Sequence, residues 1–256
     1  MAFGLVLYDV LYLTLSAVMY GGAACAGVHA YQALARPLPW PIAAVLAVYA
    51  GLAVLIAEAG LGTLLCPRLV PGLYEMMKGR VFFGWIFRSL IRRVLFVPGL
   101  KWLVFSSNVL RFCALRALGA KVAFSSSLSA DADLLDPALI TVGPGAIIGA
   151  RCILTGHFVQ DGKLLLGEVR VERGALLAGD VGMMPNTTVE EKALVKSRVS
   201  LSIGCVVGKG AQVGGATGVD ANARIGAGAR VGNMCYIGAR AVVPEGAEVP
   251  SGTQFR

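Results

Sequence analysis

The sequence predicts a helical membrane hairpin followed by an all-β parallel solenoid. Two long apolar runs, separated by a proline-rich break, fill the first quarter of the 256 residues. In the last half, aliphatic residues recur at every sixth position. Hydrophobic residues make up 56% of the chain and charged residues 15%, a composition too apolar for a single soluble domain. We therefore expect part of the chain to contact membrane lipid.

Charge divides the chain into three regions. Residues 1–66 carry a net charge of −1, residues 67–121 carry +9 and residues 122–256 carry 0. A nucleic-acid-binding protein would place its positive charge on the folded domain, whereas here it lies in a segment rich in Phe, Trp and Leu. The sequence therefore predicts a two-span transmembrane hairpin (1–66), a basic amphipathic segment (67–121) and the solenoid domain (122–256), with no nucleic-acid partner.

The first region contains two predicted spans. From Phe3 to Ala35 there is no Lys or Arg, so about twenty residues can cross the hydrocarbon core as a helix. Three prolines around Trp40 break this helix, and Ile42–Cys66 forms the second span. Because many basic residues follow the second span and only Arg36 lies in the connecting loop, the positive-inside rule places both termini in the cytoplasm.

The basic segment is too interrupted for a third span. Arg88, Arg92 and Arg93 recur among aromatic and aliphatic residues, and Pro98-Gly99 divides them. This pattern favours two helices lying in the lipid headgroup layer, with their arginines toward anionic phosphates. A helix packed on the solenoid domain is the alternative interpretation of the same apolar residues.

The repeat stays in phase over fourteen consecutive aliphatic positions from Val171 to Val249. A small or β-branched residue stands four positions after each of them, and neither a helix nor a single alternating strand has this period. Upstream, three residues continue the register: Val142, Ile148 and Leu154. A further three are predicted to add an irregular first coil: Leu128, Leu134 and Ile140.

This repeat resembles the hexapeptide-repeat family of left-handed parallel β-helices. The resemblance implies that three hexads form one triangular coil, with the aliphatic side chains on its axis. It also implies an acyltransferase that uses acyl-CoA, assembled as a homotrimer. A minority of such proteins are γ-class carbonic anhydrases, which need three histidines per metal, whereas His157 is the only histidine of this domain. We therefore expect no metal site, and no permanently bound cofactor.

Three stretches carry a closer resemblance to membrane-linked hexapeptide domains, which occur singly in bacteria or at the C-termini of peptide synthetases such as polylysine synthetases. The stretches are Leu115–Val122, Asp133–Pro137 with the following Ile140–Gly143, and Gly156–Gly162. The third usually reads Gly/Thr-His-Thr-Phe-Glu-Asp-Gly in that family, so this chain keeps His157, Asp161 and Gly162 and departs between them. The resemblance implies location in the bacterial inner membrane.

An interruption of the register marks the candidate catalytic residues. Leu154 and Val171 are seventeen positions apart instead of a multiple of six, so residues 160–168 are predicted to leave the coil as a loop, with His157 at its root. Acyl transfer needs a base for the acceptor's proton and a donor for the oxyanion. We predict His157 as the general base, Asp161 as a carboxylate that orients it and Asn186 as an oxyanion donor.

The register also predicts a donor-binding edge. Counting hexads from His157 places four residues in one column along an edge of the solenoid: Asn186, Gly204, Asn222 and Arg240. The small Gly204 would leave room for the pantetheine arm of acyl-CoA, Asn222 would line the groove, and Arg240 would meet the CoA phosphates. Polar residues at exposed corners are the simpler alternative.

Cysteines do not suggest other chemistry. Cys152, Cys205 and Cys235 occupy the small inward position of the repeat, and no CxxC pair occurs. The sequence therefore predicts a membrane-anchored acyltransferase that modifies a hydroxyl or amine on a membrane-associated lipid-linked glycan, polysaccharide or peptide. Two alternatives stay open: an amide-forming partner of a nonribosomal peptide synthetase, and a non-catalytic membrane scaffold of a biosynthetic complex.

Overall fold

The computed structural model describes residues 2–256, with side chains from residue 6 onward. Five helices occupy the first half: α1 (Ala2–Leu34), α2 (Trp40–Leu65), α3 (Gly79–Leu95), α4 (Pro98–Phe105) and α5 (Asn108–Ala117). A short strand, Gly72–Glu75, lies between α2 and α3, and we call it the linker strand. The chain forms two compact units: a helical unit of residues 2–67 and 86–118, and a β-helix unit of residues 68–85 and 119–256.

In the helical unit, the two segments predicted to cross a membrane are helices of sufficient length and apolarity to do so, Val6–Leu34 and Trp40–Leu65. Glycines allow α1 and α2 to pack closely. A Cβ atom on Gly51 would lie 2.8 Å from the carbonyl oxygen of Ala23, and one on Gly27 would lie 3.3 Å from that of Ala47. Larger residues at these two positions would force the helices apart.

The segment after α2 differs from the two helices that we predicted. It holds three helices and the linker strand, and its residues are divided between the two units. Pro98 stands in the first turn of α4, where a missing N–H has no cost. Ser107 is extended and its hydroxyl accepts a hydrogen bond from Leu110 N (3.4 Å), which ends one helix and caps the next. The break at Ser107 explains the third helix.

The β-helix unit is a three-sided parallel solenoid, as the period of six predicts. Among the described residues each side holds seven strands. Side one consists of Lys121–Val122, Ile140–Val142, Val169–Val171, Thr188–Val189, Val206–Val207, Arg224–Ile225 and Val242–Val243. Side two consists of Ser127–Leu128, Ile147–Ile148, Leu176–Leu177, Leu194–Val195, Gln212–Val213, Arg230–Val231 and Glu248–Val249. Side three consists of Asp133–Leu134, Ile153–Leu154, Gly182–Met183, Ser200–Leu201, Gly218–Val219, Tyr236–Ile237 and Gln254–Phe255.

The core of the solenoid is the predicted aliphatic column. All fourteen repeat residues from Val171 to Val249 are buried, and the small residues four positions later are buried up to Ala241. Each buried aliphatic side chain contributes about 1.5–3 kcal/mol relative to an exposed one. The first coil is irregular, as predicted, but its three sides are Val122, Leu128 and Leu134. Ile140 instead opens the next coil, where it pairs with Val169.

Both irregularities of the solenoid fall at the turn from side three to side one, which we call the third corner. In the first coil, Pro137–Leu139 forms a 3-10 turn there, so Leu134 and Val142 are eight residues apart instead of six. In the next coil, the predicted loop is a β-hairpin of His157–Gln160 and Lys163–Leu166. The linker strand pairs antiparallel with the second hairpin strand, which completes a three-stranded sheet.

Candidate active site

Asp136 lies in the extra residues of the third corner. It precedes Pro137, which starts the 3-10 turn, and its side chain is 1% exposed. Thr155 and Gly156 come from the coil below, directly after the inward-facing Leu154. A Cβ atom on Gly156 would lie 2.8 Å from Leu139 Cβ, so only glycine lets these two coils approach so closely. The two irregularities thus meet at one place.

The imidazole of His157 contacts this buried carboxylate. His157 Nδ1 lies 2.6 Å from Asp136 Oδ2, and the same oxygen accepts a hydrogen bond from Gly156 N (2.9 Å). The hydroxyl of Thr155 lies 3.4 Å from Asp136 Oδ2 and 3.0 Å from the carbonyl oxygen of His157. The side chain of His157 is 26% exposed to solvent. The imidazole is therefore held on its Nδ1 side, and the ring as a whole is partly exposed.

Trp85 of α3 completes the environment of the carboxylate. Its indole Nε1 donates a hydrogen bond to Asp136 Oδ1 (2.8 Å). Its ring also packs against the imidazole, with 5.0 Å between ring centroids and 59° between ring planes. Phe82, which is 2% exposed, packs in turn on Trp85 at 5.9 Å. Both oxygens of Asp136 thus have donors.

This arrangement specifies what the imidazole can do. A carboxylate only accepts hydrogen bonds, so its contact with Nδ1 assigns the proton of a neutral imidazole to Nδ1. Nε2 then carries the lone pair, and it has no partner among the described residues. A positioned histidine with a free Nε2 can take a proton from a hydroxyl or amine, and the nearby carboxylate stabilises the imidazolium that forms.

Asp161, the predicted orienting carboxylate, is not beside His157. Asp161 and Gly162 form the tip of the hairpin, both with positive φ (50° and 71°), which is the backbone of a two-residue Asp-Gly turn. Asp161 stands four positions after His157 along an extended strand, a separation of roughly 13 Å. The position expected for an orienting carboxylate is occupied by Asp136.

The predicted column is present below the hairpin. Gly204 N donates to Pro185 O, Asn222 N to Ile203 O and Arg240 N to Ala221 O, at 2.8–3.0 Å, so Asn186, Gly204, Asn222 and Arg240 are stacked at the third corner. All four have positive φ, which accounts for glycine and asparagine at three of the positions. His157 departs from the column because its strand pairs with Leu166. Gly167 takes its place, and a Cβ there would lie 2.4 Å from Asn186 Oδ1.

A cleft of about 340 Å³ lies on the other face of the hairpin sheet. Its wall includes three apolar residues that are cross-strand neighbours, Leu73, Phe158 and Leu165, and it reaches Ile203, the neighbour of Gly204. Gln160, Asp161 and Lys163 line its polar end. Directly opposed residues of neighbouring strands share a face, so the imidazole of His157 and this cleft lie on opposite faces of the sheet.

Sequence reasoning assigned no role to Asp136, Thr155 or Trp85. A signal for Asp136 was present, since the spacing from Leu134 to Val142 exceeds one hexad by two residues. That slip and the longer one after Leu154 fall at the same corner of successive coils, which places their residues side by side. Trp85 lies outside the repeat and has no periodic neighbour, so the repeat pattern contains no information about its contact.

The buried cysteines of the β-helix unit do not supply a nucleophile. Cys152, Cys205 and Cys235 are buried in the solenoid. Burial raises the pKa of the Cys205 thiol to about 11, so it is not a nucleophile at neutral pH. Among the residues described, no group of three or more His, Cys, Asp and Glu side chains is placed to hold a metal ion.

No family model matches the sequence, and no curated protein does. Solved structures with a similar fold include the acetyltransferase domain of PglB from Neisseria gonorrhoeae FA1090 (18% identity, TM-score 0.34). The match covers 57% of this chain and 64% of that one, which is less than two thirds of its length. AntD, an N-acyltransferase from Bacillus cereus in complex with dTDP and 3-hydroxybutyryl-CoA, is 16% identical (TM-score 0.42, 51% and 78% covered).

A third solved structure is that of a point mutant of perosamine N-acetyltransferase from Caulobacter crescentus, in complex with CoA and GDP-perosamine. It is 14% identical, with a TM-score of 0.38 and coverage of 56% of this chain and 59% of that one. The fold is established by the strand pairing of this chain and its period of six. The β-helix unit therefore has the hexapeptide-repeat β-helix fold.

Proposed function

We propose that this protein is a membrane-anchored acyltransferase that moves an acyl group from acyl-CoA to a hydroxyl or amine of a membrane-associated acceptor. The observation that carries the proposal is the contact between His157 Nδ1 and the buried Asp136 carboxylate, which assigns the lone pair of a neutral imidazole to Nε2. The reaction class follows from the resemblance of the repeat to acyltransferases. A trimer of this chain is part of the proposal.

The proposed reaction uses His157 twice. Nε2 removes the proton of the acceptor hydroxyl or amine as its oxygen or nitrogen attacks the thioester carbonyl carbon. The tetrahedral intermediate then collapses, the carbon–sulfur bond breaks, and the imidazolium returns the proton to the departing CoA thiolate. The Asp136 carboxylate beside Nδ1 stabilises the imidazolium between these two steps. Asn186, next to Gly167 at the third corner, is the proposed donor to the oxyanion.

The donor is proposed to lie along the third-corner column. The side chain of Arg240 is exposed at the corner, three coils from Asn186, or about 14 Å at the spacing of neighbouring strands. A guanidinium there suits the phosphates of CoA, and Gly204 and Asn222 lie between the two ends. Basic residues with the same left-handed backbone also occur at the other two corners, as Lys192 and Arg198. The binding role proposed for this column therefore rests on its place at the third corner, where Asn186 lies beside Gly167 at the end of the hairpin.

Anchoring is proposed through α1 and α2, with an acceptor that is lipid-linked or otherwise held at the membrane. The two helices have the length and apolarity of spans, and the arginines and lysines that follow them suit anionic headgroups. CoA thioesters occur in the cytoplasm, so this proposal places the β-helix unit on the cytoplasmic side. A carrier-bound thioester in place of acyl-CoA would indicate the peptide-synthetase alternative.

The test is thioester turnover by the full chain in detergent, measured as CoA release with a panel of acyl-CoAs and a carrier-bound aminoacyl thioester. We expect turnover with one class of acyl-CoA. His157→Ala should lower kcat by about 10²–10⁴-fold with little change in donor KM, because the base acts in the transition state. Arg240→Ala should mainly raise donor KM, because the phosphates bind alike in ground and transition states.

Matched variants on the other corners serve as controls. Lys192 and Arg198 occupy the corresponding positions of the first and second corners, where each stacks through a backbone hydrogen bond onto the coil above. Lys192→Ala and Arg198→Ala should leave donor KM unchanged. Full turnover by His157→Ala would overturn the base, and a KM effect at Lys192 or Arg198 instead of Arg240 would move the donor to another edge.

A further inference from the structure

We propose that Trp85 is a positioning residue that fixes the orientation of Asp136, and through it the proton-accepting tautomer of His157. The inference rests on the proposed function for its role in catalysis. Its structural basis is the indole N–H donated to Asp136 Oδ1 (2.8 Å) together with the tilted contact of the indole with the imidazole, at 5.0 Å between ring centroids.

The two oxygens of Asp136 have different partners. Oδ2 accepts hydrogen bonds from His157 Nδ1 and Gly156 N, and the Thr155 hydroxyl lies within 3.4 Å of it. Oδ1 accepts its hydrogen bond from the indole of Trp85. A buried carboxylate oxygen without a donor is costly, so a carboxyl group lacking the indole would rotate to share its remaining donors. Trp85 therefore holds Oδ2 toward the imidazole.

The same sheet that carries His157 holds Trp85 in place. The linker strand pairs residue by residue with Lys163–Leu166, from Gly72 opposite Leu166 to Glu75 opposite Lys163. Met76 N then donates to Gly162 O (3.0 Å) at the hairpin tip. Ten residues after the linker strand the chain reaches Trp85 on α3, where Phe82 packs beside it. The segment that carries the indole is thus built onto the hairpin that carries the imidazole.

The indole of Trp85 contacts both Asp136 and His157. Its N–H fixes the carboxylate, and its ring limits the rotation of the imidazole about its own side-chain bonds. Outer partners that orient a catalytic histidine typically change activity by about 10–100-fold when removed. Trp85 belongs to the segment between the predicted spans and the solenoid, so a fragment that begins at residue 119 would lack this partner.

The decisive variant is Trp85→Phe, which keeps an aromatic ring but removes the N–H donor. We expect kcat to fall by about tenfold with donor KM unchanged, since ordering of the base is needed in the transition state. Phe82→Leu is the matched control, because it alters the same packing while it leaves the indole hydrogen bond intact. That variant should keep kcat within about twofold, in line with a loss of packing alone.

A double-mutant cycle separates positioning from general stability. If Trp85 acts through Asp136, then Trp85→Phe should cost less than about twofold in an Asp136→Ala background, because the hydrogen bond has already been lost. An independent structural role would give the same tenfold loss in both backgrounds, and that result would overturn the inference.

A spectroscopic measurement keeps the inference testable without turnover. The full chain with His29→Gln contains a single histidine, so its ¹⁵N-histidine spectrum in detergent reports the tautomer of His157. We expect the Nδ1-protonated tautomer in that protein and in Phe82→Leu, and a mixture of both tautomers in Trp85→Phe. An unchanged tautomer in Trp85→Phe would refute the positioning role. A changed tautomer in a chain that turns over no thioester would instead refute the proposed function and leave the positioning role intact.

Discussion

Two aspartates near the hairpin have different physical environments, and the difference decides which one can act on His157. Asp136 is buried between two coils, and its carboxylate is surrounded by the donors of Gly156, His157 and Trp85. Asp161 is exposed at the hairpin tip, where positive φ favours Asp, Asn and Gly. The turn explains Asp161 in the stretch that resembles the family motif, and we propose the orienting role for Asp136, twenty-one positions before His157.

We predict that replacing Asp136 by asparagine lowers turnover, whereas the same replacement of Asp161 does not. Asp136→Asn places an NH₂ group within reach of Nδ1, which favours the tautomer with the proton on Nε2 and removes the base. We expect kcat to fall by about 10²–10⁴-fold, as in enzymes whose histidine loses its carboxylate, with donor KM changed little. Asp161→Asn should retain turnover within about twofold, since asparagine also suits a left-handed turn. Steady-state kinetics with varied acyl-CoA measure both.

Equal losses in the two variants would contradict this assignment, because they would mean that the hairpin tip contributes to the reaction. Thermal unfolding of both variants provides the control. Asp136→Asn keeps the volume of the buried side chain, so any loss of activity can be compared with a measured change in Tm.

At the scale of elements, the period of six was sufficient to predict the sides, the inward column and the corner residues. A repeat of constant length fixes the position of each residue within its coil. Counting alone therefore aligns four corner residues, Asn186, Gly204, Asn222 and Arg240. The period of six could not predict which strand pairs with the linker strand. A four-residue strand after a proline has no period to compare, and its pairing with Lys163–Leu166 depends on tertiary contacts. Helix α5 was missed because its N-terminal cap, Ser107, is a local feature within an apolar run.

Close approach between successive corners makes another element-scale prediction. A Cβ atom on Gly214 would lie 2.2 Å from the carbonyl oxygen of Gly232 in the next coil, although its φ is not in the left-handed region. Gly214→Ala must therefore separate two coils, at a cost of about 1–3 kcal/mol in the free energy of unfolding. We expect Tm to fall by several degrees, measured by thermal unfolding of the full chain.

The matched control for this prediction is Gly182→Ala. Gly182 lies in a strand of side three, and a Cβ atom added to it would have no other atom within 4 Å. Its replacement by alanine should therefore change Tm by no more than about 2 °C. Similar losses in both variants would show that glycine is needed for a reason other than the spacing of the coils.

At the scale of the whole molecule, the distribution of basic residues along the chain predicts its orientation in a membrane. The region of net charge +9 directly follows the second predicted span, and the loop between the spans holds only Arg36. Two such spans would return the chain to the side on which it started, so the positive-inside rule predicts one side for both ends and for everything after residue 67. The proposed donor would then lie on the same side as His157, since CoA thioesters are cytoplasmic.

This topology is tested with reporters in a bacterial host. A fluorescent protein that matures only in the cytoplasm, fused after Arg256, should fluoresce, and alkaline phosphatase at the same position should be inactive. Phosphatase inserted after Leu38, in the loop between the spans, should be active, because that loop is predicted to be exported. The inserted reporter also serves as the control for correct insertion of the hairpin. An active phosphatase after Arg256 would place His157 and Asp136 outside the cytoplasm, away from CoA, and would refute both the predicted topology and the proposed donor.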